Sequence, residues 1–148
     1  MTTNIATTRE QSARLLQCGV SAESADMCYQ FIDECCNNTD NPICSTPKEQ
    51  YATVSGHGFG DHRIHITPAW SLSALLGLLP KEIYDESDDS FYFSLAKEFP
   101  LSEEYCAAYI PCWDKGDALV RKRDNDPIEA CVQLIEWLTA NNHKLNQL

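Results

Sequence analysis

Long apolar runs are missing from this 148-residue chain, and so is any excess of basic residues. The longest mostly apolar segment, residues 67–80, is too short to span a bilayer, and the polar N-terminus has no apolar signal core. We therefore expect a cytoplasmic protein with no membrane partner. Eleven basic against 22 acidic residues give a net charge of −11, which repels phosphate backbones and excludes nucleic acid as a favourable partner.

Catalytic signatures are also missing. No lysine and serine or threonine pair follows the glycine-rich stretch at 56–60, and no nucleophile motif surrounds any of the eight cysteines. Several cysteines lie at apolar helical positions, so we interpret them as reduced thiols that pack as small hydrophobic side chains. The sequence predicts a non-enzymatic protein without a cofactor.

The composition is that of a folded globular chain. An apolar fraction of 43% and a charged fraction of 22% are typical of a packed core, and no internal repeat is visible. We expect one domain over residues 1–148, large enough to fold without metal or disulfide support.

The N-terminal region predicts a helical hairpin. Thr7 or Thr8 can cap a helix over residues 7–18, with Glu10 or Gln11 three positions on to complete a capping box and Gly19 at the end of the helix. Ser21 can cap a second helix, in which apolar residues recur every three or four positions at Ala25, Cys28, Ile32 and Cys35.

Proline signals mark two further helices. Over residues 67–80, Thr67 is the predicted N-cap, Pro68 is at the first helical position and Pro80 ends the apolar helix. Asp126 and Pro127 begin a C-terminal helix that continues to about residue 142.

Residue alternation predicts strands at 62–66, around 83–84, at 90–99, at 105–113 and at 118–122. Residues 36–61 contain turn-forming residues around a short strand near 51–54, which predicts an irregular, loop-rich insertion. The fold class that follows is α+β: an N-terminal helical hairpin and a small antiparallel sheet of three to five strands, packed against a central and a C-terminal helix.

Three segments of the sequence resemble a family of small uncharacterised proteins from prophages and integrated mobile elements of Bacteroidales bacteria. They are CGVSAESADM at 18–27, PAWSLSALL at 68–76 and IEACVQLIEWL at 128–138, while residues 29–66 look particular to this chain. The resemblance implies a bacterial, cytoplasmic setting and a mobile-element origin. It implies no activity and no functional residue.

Zinc is the one cofactor for which the chain holds a suggestive set of ligands. The weak candidates are Cys35, Cys36, Cys44, His57, His62 and His65, with Cys28 nearby. No C-x-x-C pair is present, and His62 and His65 point to opposite faces of a regular strand. Buried thiols and surface histidines are therefore the favoured interpretation.

Other constellations are weaker still. A nucleophilic thiol would pair Cys44 or Cys112 with His57 or His62, but the sequence does not bring them together. The second helix of the hairpin carries acids and no basic residue, which disfavours a DNA-reading motif. The acidic turn at 85–89 lacks the glycine and glutamate of a calcium loop.

We expect a protein that works by binding another protein, its identity and the oligomeric state both unknown. Exposed aromatics on the sheet, Tyr92, Tyr109 and Trp113, are the speculative contacts. An alternative is an acidic nucleic-acid mimic that inhibits a host DNA-binding enzyme, and a second alternative is a small zinc-binding protein. The cluster Arg121-Lys122-Arg123 is the only basic one in the sequence, and we interpret it as a solvated strand end, with contact to a partner or an anion as the alternative.

Overall fold

The computed structural model describes residues 4–32, 40–55, 64–98, 100–112 and 116–146. These residues form an α+β fold, as predicted, with two antiparallel sheets. The helices are α1 (Arg9–Gln17), α2 (Pro47–Ser55), α3 (Leu72–Leu78) and α4 (Pro127–Ala140). The strands are β1 (Met27–Ile32), β2 (Ile64–Ala69), β3 (Glu82–Tyr84), β4 (Ser90–Lys97), β5 (Tyr105–Pro111) and β6 (Val120–Asp124).

The chain divides into two compact units, one of residues 4–74 and one built mainly from residues 75–148. The prediction of a single domain stays a prediction, because a unit defined by its contacts need not fold alone.

Helix α1 in the first unit confirms the predicted capping box. The Thr8 hydroxyl accepts a bond from the Gln11 N–H, and the Gln11 side chain accepts one from the Thr8 N–H. The prediction of a second helix in the N-terminal hairpin is wrong. Ser21 caps only a single 3-10 turn, Ala22–Ser24, and the chain then extends into β1.

Strand β1 is held on both edges. Residues Met27–Ile32 pair with β2, and the backbone N–H and C=O of Cys28 both bond to Ile43 on the other side. Because both polar backbone groups of Cys28 point toward Ile43, its pairing with Pro68 needs no hydrogen bond, and the missing N–H of proline has no cost there.

Two further boundaries differ from the prediction. The strand expected near 51–54 is part of α2, whose first turn is capped by the Thr46 hydroxyl bonded to the Glu49 N–H. Pro68 belongs to β2, and the apolar helix begins only at Leu72 with Ser71 as its cap, bonded to the Ala74 N–H. The remaining parts of the predicted insertion, residues 36–39 and 56–61, lie outside the described residues.

A buried polar cluster joins the start of the first unit to the end of β2. Thr7 is fully buried, and its N–H donates to the Trp70 carbonyl (2.9 Å) while its hydroxyl accepts from the Trp70 N–H (3.0 Å). The Thr7 hydroxyl also bonds the Ser12 hydroxyl, and its carbonyl accepts from the Tyr29 hydroxyl, both at 2.8 Å. Every polar atom of Thr7 is therefore paired.

The second unit is an antiparallel meander in the order β3-β4-β5-β6. The acidic turn between β3 and β4 is closed by the Asp85 carboxylate, which accepts from the N–H groups of Ser87 and Asp89, both at 2.9 Å. Asp88 adopts a left-handed conformation, φ 61°, as the turn requires. The Asp85 oxygen that could coordinate a cation in a calcium loop thus accepts backbone hydrogen bonds within the turn instead.

Helix α4 packs against β5 and β6 and confirms the predicted C-terminal helix. Its apolar face is buried at Ile128, Ala130, Cys131, Val132, Leu134, Ile135 and Leu138. The helix ends in a Schellman motif: Asn142 takes the left-handed position, φ 61°, and the His143 N–H bonds the Leu138 carbonyl at 2.9 Å.

Candidate functional site: the outer face of the sheet

The four-stranded sheet has two different faces, and the strand registers define which residues share them. Phe91 and Phe93 alternate with Tyr92 along β4, and Phe93 pairs with Tyr109, which lies on the α4 side. The opposite side, here called the outer face, carries Glu82, Tyr84, Tyr92, Ile110, Arg121 and Arg123.

The apolar part of the outer face is exposed. Tyr92 and Ile110 are direct neighbours across β4 and β5 and are 38% and 37% exposed. Tyr84 on β3 is 54% exposed, and its hydrogen bond with Glu82 raises the pKa of its hydroxyl. Large apolar and aromatic side chains on a sheet are normally buried. The exposed Tyr84, Tyr92 and Ile110 therefore form a surface on which another molecule could pack.

Small residues form the floor next to these side chains. Ala108 and Cys106 lie two and four residues before Ile110 on β5, on the same face. Their exposed fractions are only 3% and 7%. Their opposite partners on β6 are Arg121 and Arg123. The outer face therefore combines aromatic and aliphatic side chains with a shallow floor and a basic margin.

The basic margin is only partly neutralised. The Arg123 Nε lies 3.2 and 3.0 Å from the two carboxylate oxygens of Glu98, and this pairing lowers the pKa of Glu98. Arg121 is exposed and forms no salt bridge within the described part of the chain, although its charge also lowers the pKa of Glu98. Its guanidinium can therefore donate to an external acceptor.

Cys106 does not have the properties of a nucleophile. Burial, and then its hydrogen bond with Glu98, raises the pKa of the thiol. Because the thiolate is the reactive form, a raised pKa keeps this cysteine inert near neutral pH. The arrangement of side chains supports binding by surface contact.

The predicted contact residues separate in the structure. Tyr92 lies on the outer face, but Tyr109 is completely buried on the opposite side, so its predicted exposure is wrong. Its hydroxyl donates to the Pro80 carbonyl at 2.8 Å and its ring packs on Phe93, which satisfies both its polar and apolar parts. Trp113 lies outside the described residues.

Most zinc candidates cannot be placed. Cys35, Cys36, His57 and His62 lie outside the described residues, while Cys44 is exposed beside Ile43 and His65 contacts the Phe31 ring. Because Ile43 and β2 border opposite edges of β1, the strand separates Cys44 from His65. Within the described ranges, no three metal-ligating side chains come together, and zinc binding stays the untested second alternative.

The thiol candidates stand apart in the same way. Cys112 is exposed and lines a cavity of about 460 Å³ with Asp89 and Asp117, and no histidine is among the lining residues described. All six cysteines in the described ranges are free thiols.

Sequence reasoning missed Tyr84, Ile110, Glu98 and the outward direction of Arg121 and Arg123. The signal was present in the alternation of β5, where Cys106, Ala108 and Ile110 oppose Tyr105, Ala107 and Tyr109. Nothing in that pattern tells which set faces the core, because both sets are apolar. The packing of helix α4 against one side of β5 determines which set of side chains is buried.

Comparison with protein-family models, with curated proteins and with solved structures finds no match to this chain. In the described ranges, no helix is both long enough and apolar enough to cross a membrane.

Proposed function

We propose that this chain is a non-enzymatic accessory protein of a phage or mobile element, acting in the cytoplasm by binding another protein through its outer face. The observation that supports it is the exposed Tyr92–Ile110 pair beside the exposed guanidinium of Arg121 in the described sheet. Tyrosine and arginine are enriched among the residues that carry most of the binding energy of interfaces. The setting rests on the three sequence segments at 18–27, 68–76 and 128–138.

The test is affinity capture from the native host, followed by measurement of the affinity for the captured partner. Tyr92→Ala and Arg121→Ala are each expected to weaken binding by about tenfold or more, as removal of a central interface residue does. Tyr51→Ala is the matched control, because Tyr51 is 54% exposed on α2, outside the sheet. Circular dichroism of each variant establishes that the fold is kept.

A partner that binds both outer-face variants as tightly as the unaltered protein would overturn the proposal. The net charge of −11 supports a second candidate, the acidic nucleic-acid mimic. In that case the captured protein is a DNA-binding enzyme, competing DNA releases it, and Tyr92→Ala has no effect on its affinity.

A further inference from the structure

Strand β6 is an edge strand of the described part of the sheet. It is the last strand in the order β3-β4-β5-β6 and, among the described strands, pairs with β5 alone. In an antiparallel pair, alternate residues direct their backbone N–H and C=O groups away from the partner strand. Across the described ranges, no other segment forms a hydrogen bond with the outward groups of Val120–Asp124.

The charge of this edge is opposite to that of the whole chain. Arg121, Lys122 and Arg123 supply three of the eleven basic residues of a chain with net charge −11, against one acid of the strand, Asp124, and the Glu98 carboxylate that pairs with Arg123. Arg121 and Arg123 are exposed on the outer face, and Lys122 lies on the other side of the strand. Such side chains repel a basic strand, disfavour a purely apolar one because their charges would lose water against it, and favour an acidic one.

We propose that the open edge of β6 accepts an acidic, extended segment of another protein as a fifth strand of the sheet. Backbone hydrogen bonds to β6 would supply affinity, and carboxylates at alternate positions would face Arg121 and Arg123. This inference rests on the proposed function and specifies the chemistry of the partner. Arg121 lies both on the outer face and on the edge strand β6. A strand added to β6 would therefore extend the sheet next to the outer face.

The probe is a synthetic peptide, capped at both ends, in which glutamate alternates with valine and threonine. Added to the full chain, it is expected to slow amide exchange within Val120–Asp124 and to shift the NMR signals of that strand. Arg121→Gln is expected to weaken binding by about tenfold, whereas Lys48→Gln, the same charge change on α2, leaves it unaltered.

Two control peptides separate strand addition from simple charge attraction. One carries N-methyl groups on all central residues, which keeps the charge but removes the backbone donors, and it is expected to bind at least about tenfold more weakly. The other has lysine in place of glutamate and is expected not to bind. Equal binding of the methylated peptide, protection outside β6, or no binding of the acidic peptide would each overturn the inference.

The two proposals fail separately. If the acidic peptide does not protect β6 but capture of a partner still depends on Tyr92, the edge inference is wrong and the proposed function stands. If the peptide protects β6 while no captured partner responds to Tyr92→Ala, the outer face is not the binding surface and the edge inference stands.

Discussion

The two units of this molecule both bury apolar side chains but differ in what accompanies their cores. In residues 4–74, Met27 and Tyr29 pack in an apolar cluster, and beside them the buried Thr7 and Ser12 hydroxyls and the Trp70 backbone form a hydrogen-bonded cluster. In the unit that follows, α4 places an aliphatic face against β5 and β6. Apolar burial is non-directional, whereas a buried polar cluster tolerates few arrangements, so the cluster adds to the first unit a geometric specificity that packing alone does not supply.

The largest effect is expected from a cavity in the second unit. Leu134→Ala removes a completely buried side chain from α4 and should lower the free energy of unfolding by about 2–5 kcal/mol. Chemical denaturation measures the change. Leu101→Ala, at a leucine that is 95% exposed, is the control and should change stability by less than about 0.5 kcal/mol. Equal losses in the two variants would contradict the packing assigned to α4.

The matching change in the first unit removes one hydroxyl and keeps the volume. Thr7→Val leaves the Trp70 N–H without its acceptor and should cost about 1–3 kcal/mol. Thr53→Val on α2 also removes a hydroxyl bonded to a backbone carbonyl, but Thr53 is exposed and the loss should stay below about 0.5 kcal/mol. If Thr7→Val is as mild as its control, the cluster does not stabilise the first unit.

A backbone effect tests whether the second unit depends on more than apolar packing. Asn142 ends α4 in the left-handed region, φ 61°, which a β-branched residue avoids. Asn142→Val should lower the free energy of unfolding by about 1–2 kcal/mol. Asn142→Gly, which accepts the same backbone angles, should remain within about 1 kcal/mol of the unaltered protein. The same loss in both variants would assign the effect to the asparagine side chain instead.

The effect that is smallest near neutral pH is a dependence of stability on pH. Burial, and then the Asp126 carboxylate, raises the pKa of the Cys131 thiol from its ordinary value of 9.0 to about 12. The unfolded chain releases this proton near pH 9 while the folded state keeps it. The contribution to stability is therefore complete below pH 9 and is lost as the pH rises toward 12, by at most about 1.4 kcal/mol per pH unit.

Cys131→Ala should reduce this alkaline slope, measured as the free energy of unfolding at several pH values above the ordinary thiol pKa of 9.0. Cys44→Ala, at an exposed thiol, is the control and should leave the slope unchanged. Burial also raises the pKa of Cys28 in the first unit, so Cys28→Ala tests whether both units lose stability by the same mechanism. An unchanged slope in Cys131→Ala would mean that this thiol stays accessible.

Sequence signals correctly predicted the elements whose ends are marked by residues close to them in the sequence. The Asp126-Pro127 start and the Thr8 capping box are confirmed, since each depends on residues a few positions apart. The alternation of Phe91 and Phe93 likewise predicted β4, because that strand has one buried side. The helix α2 has a comparable start at Thr46 and Pro47, a signal that was present but not used.

The wrong secondary-structure predictions lie in segments whose conformation is determined by pairing with residues far away in the sequence. Met27, Cys28, Tyr29 and Gln30 are all buried, so β1 shows no alternation, and its pairing with β2 and Ile43 outweighs the helical spacing of its apolar residues. Thr67 and Pro68 have the pattern of a helix start, but pairing with Tyr29 and Cys28 keeps them in β2. The outer face was only half predictable, because the position of α4 determines which side of the sheet stays open.

The Asn146 side chain, which follows the Schellman end of α4, donates to the carbonyls of Gly77 and Leu79 near the end of α3, at 3.2 and 3.1 Å. These contacts join residues 69 and 67 positions apart, and the whole meander lies between them. Closing a loop of this length costs chain entropy that no local contact offsets, so we expect these bonds to form after the local hairpins. Asn146→Ala should then hasten unfolding and leave the rate of folding nearly unchanged, as measured by stopped-flow kinetics.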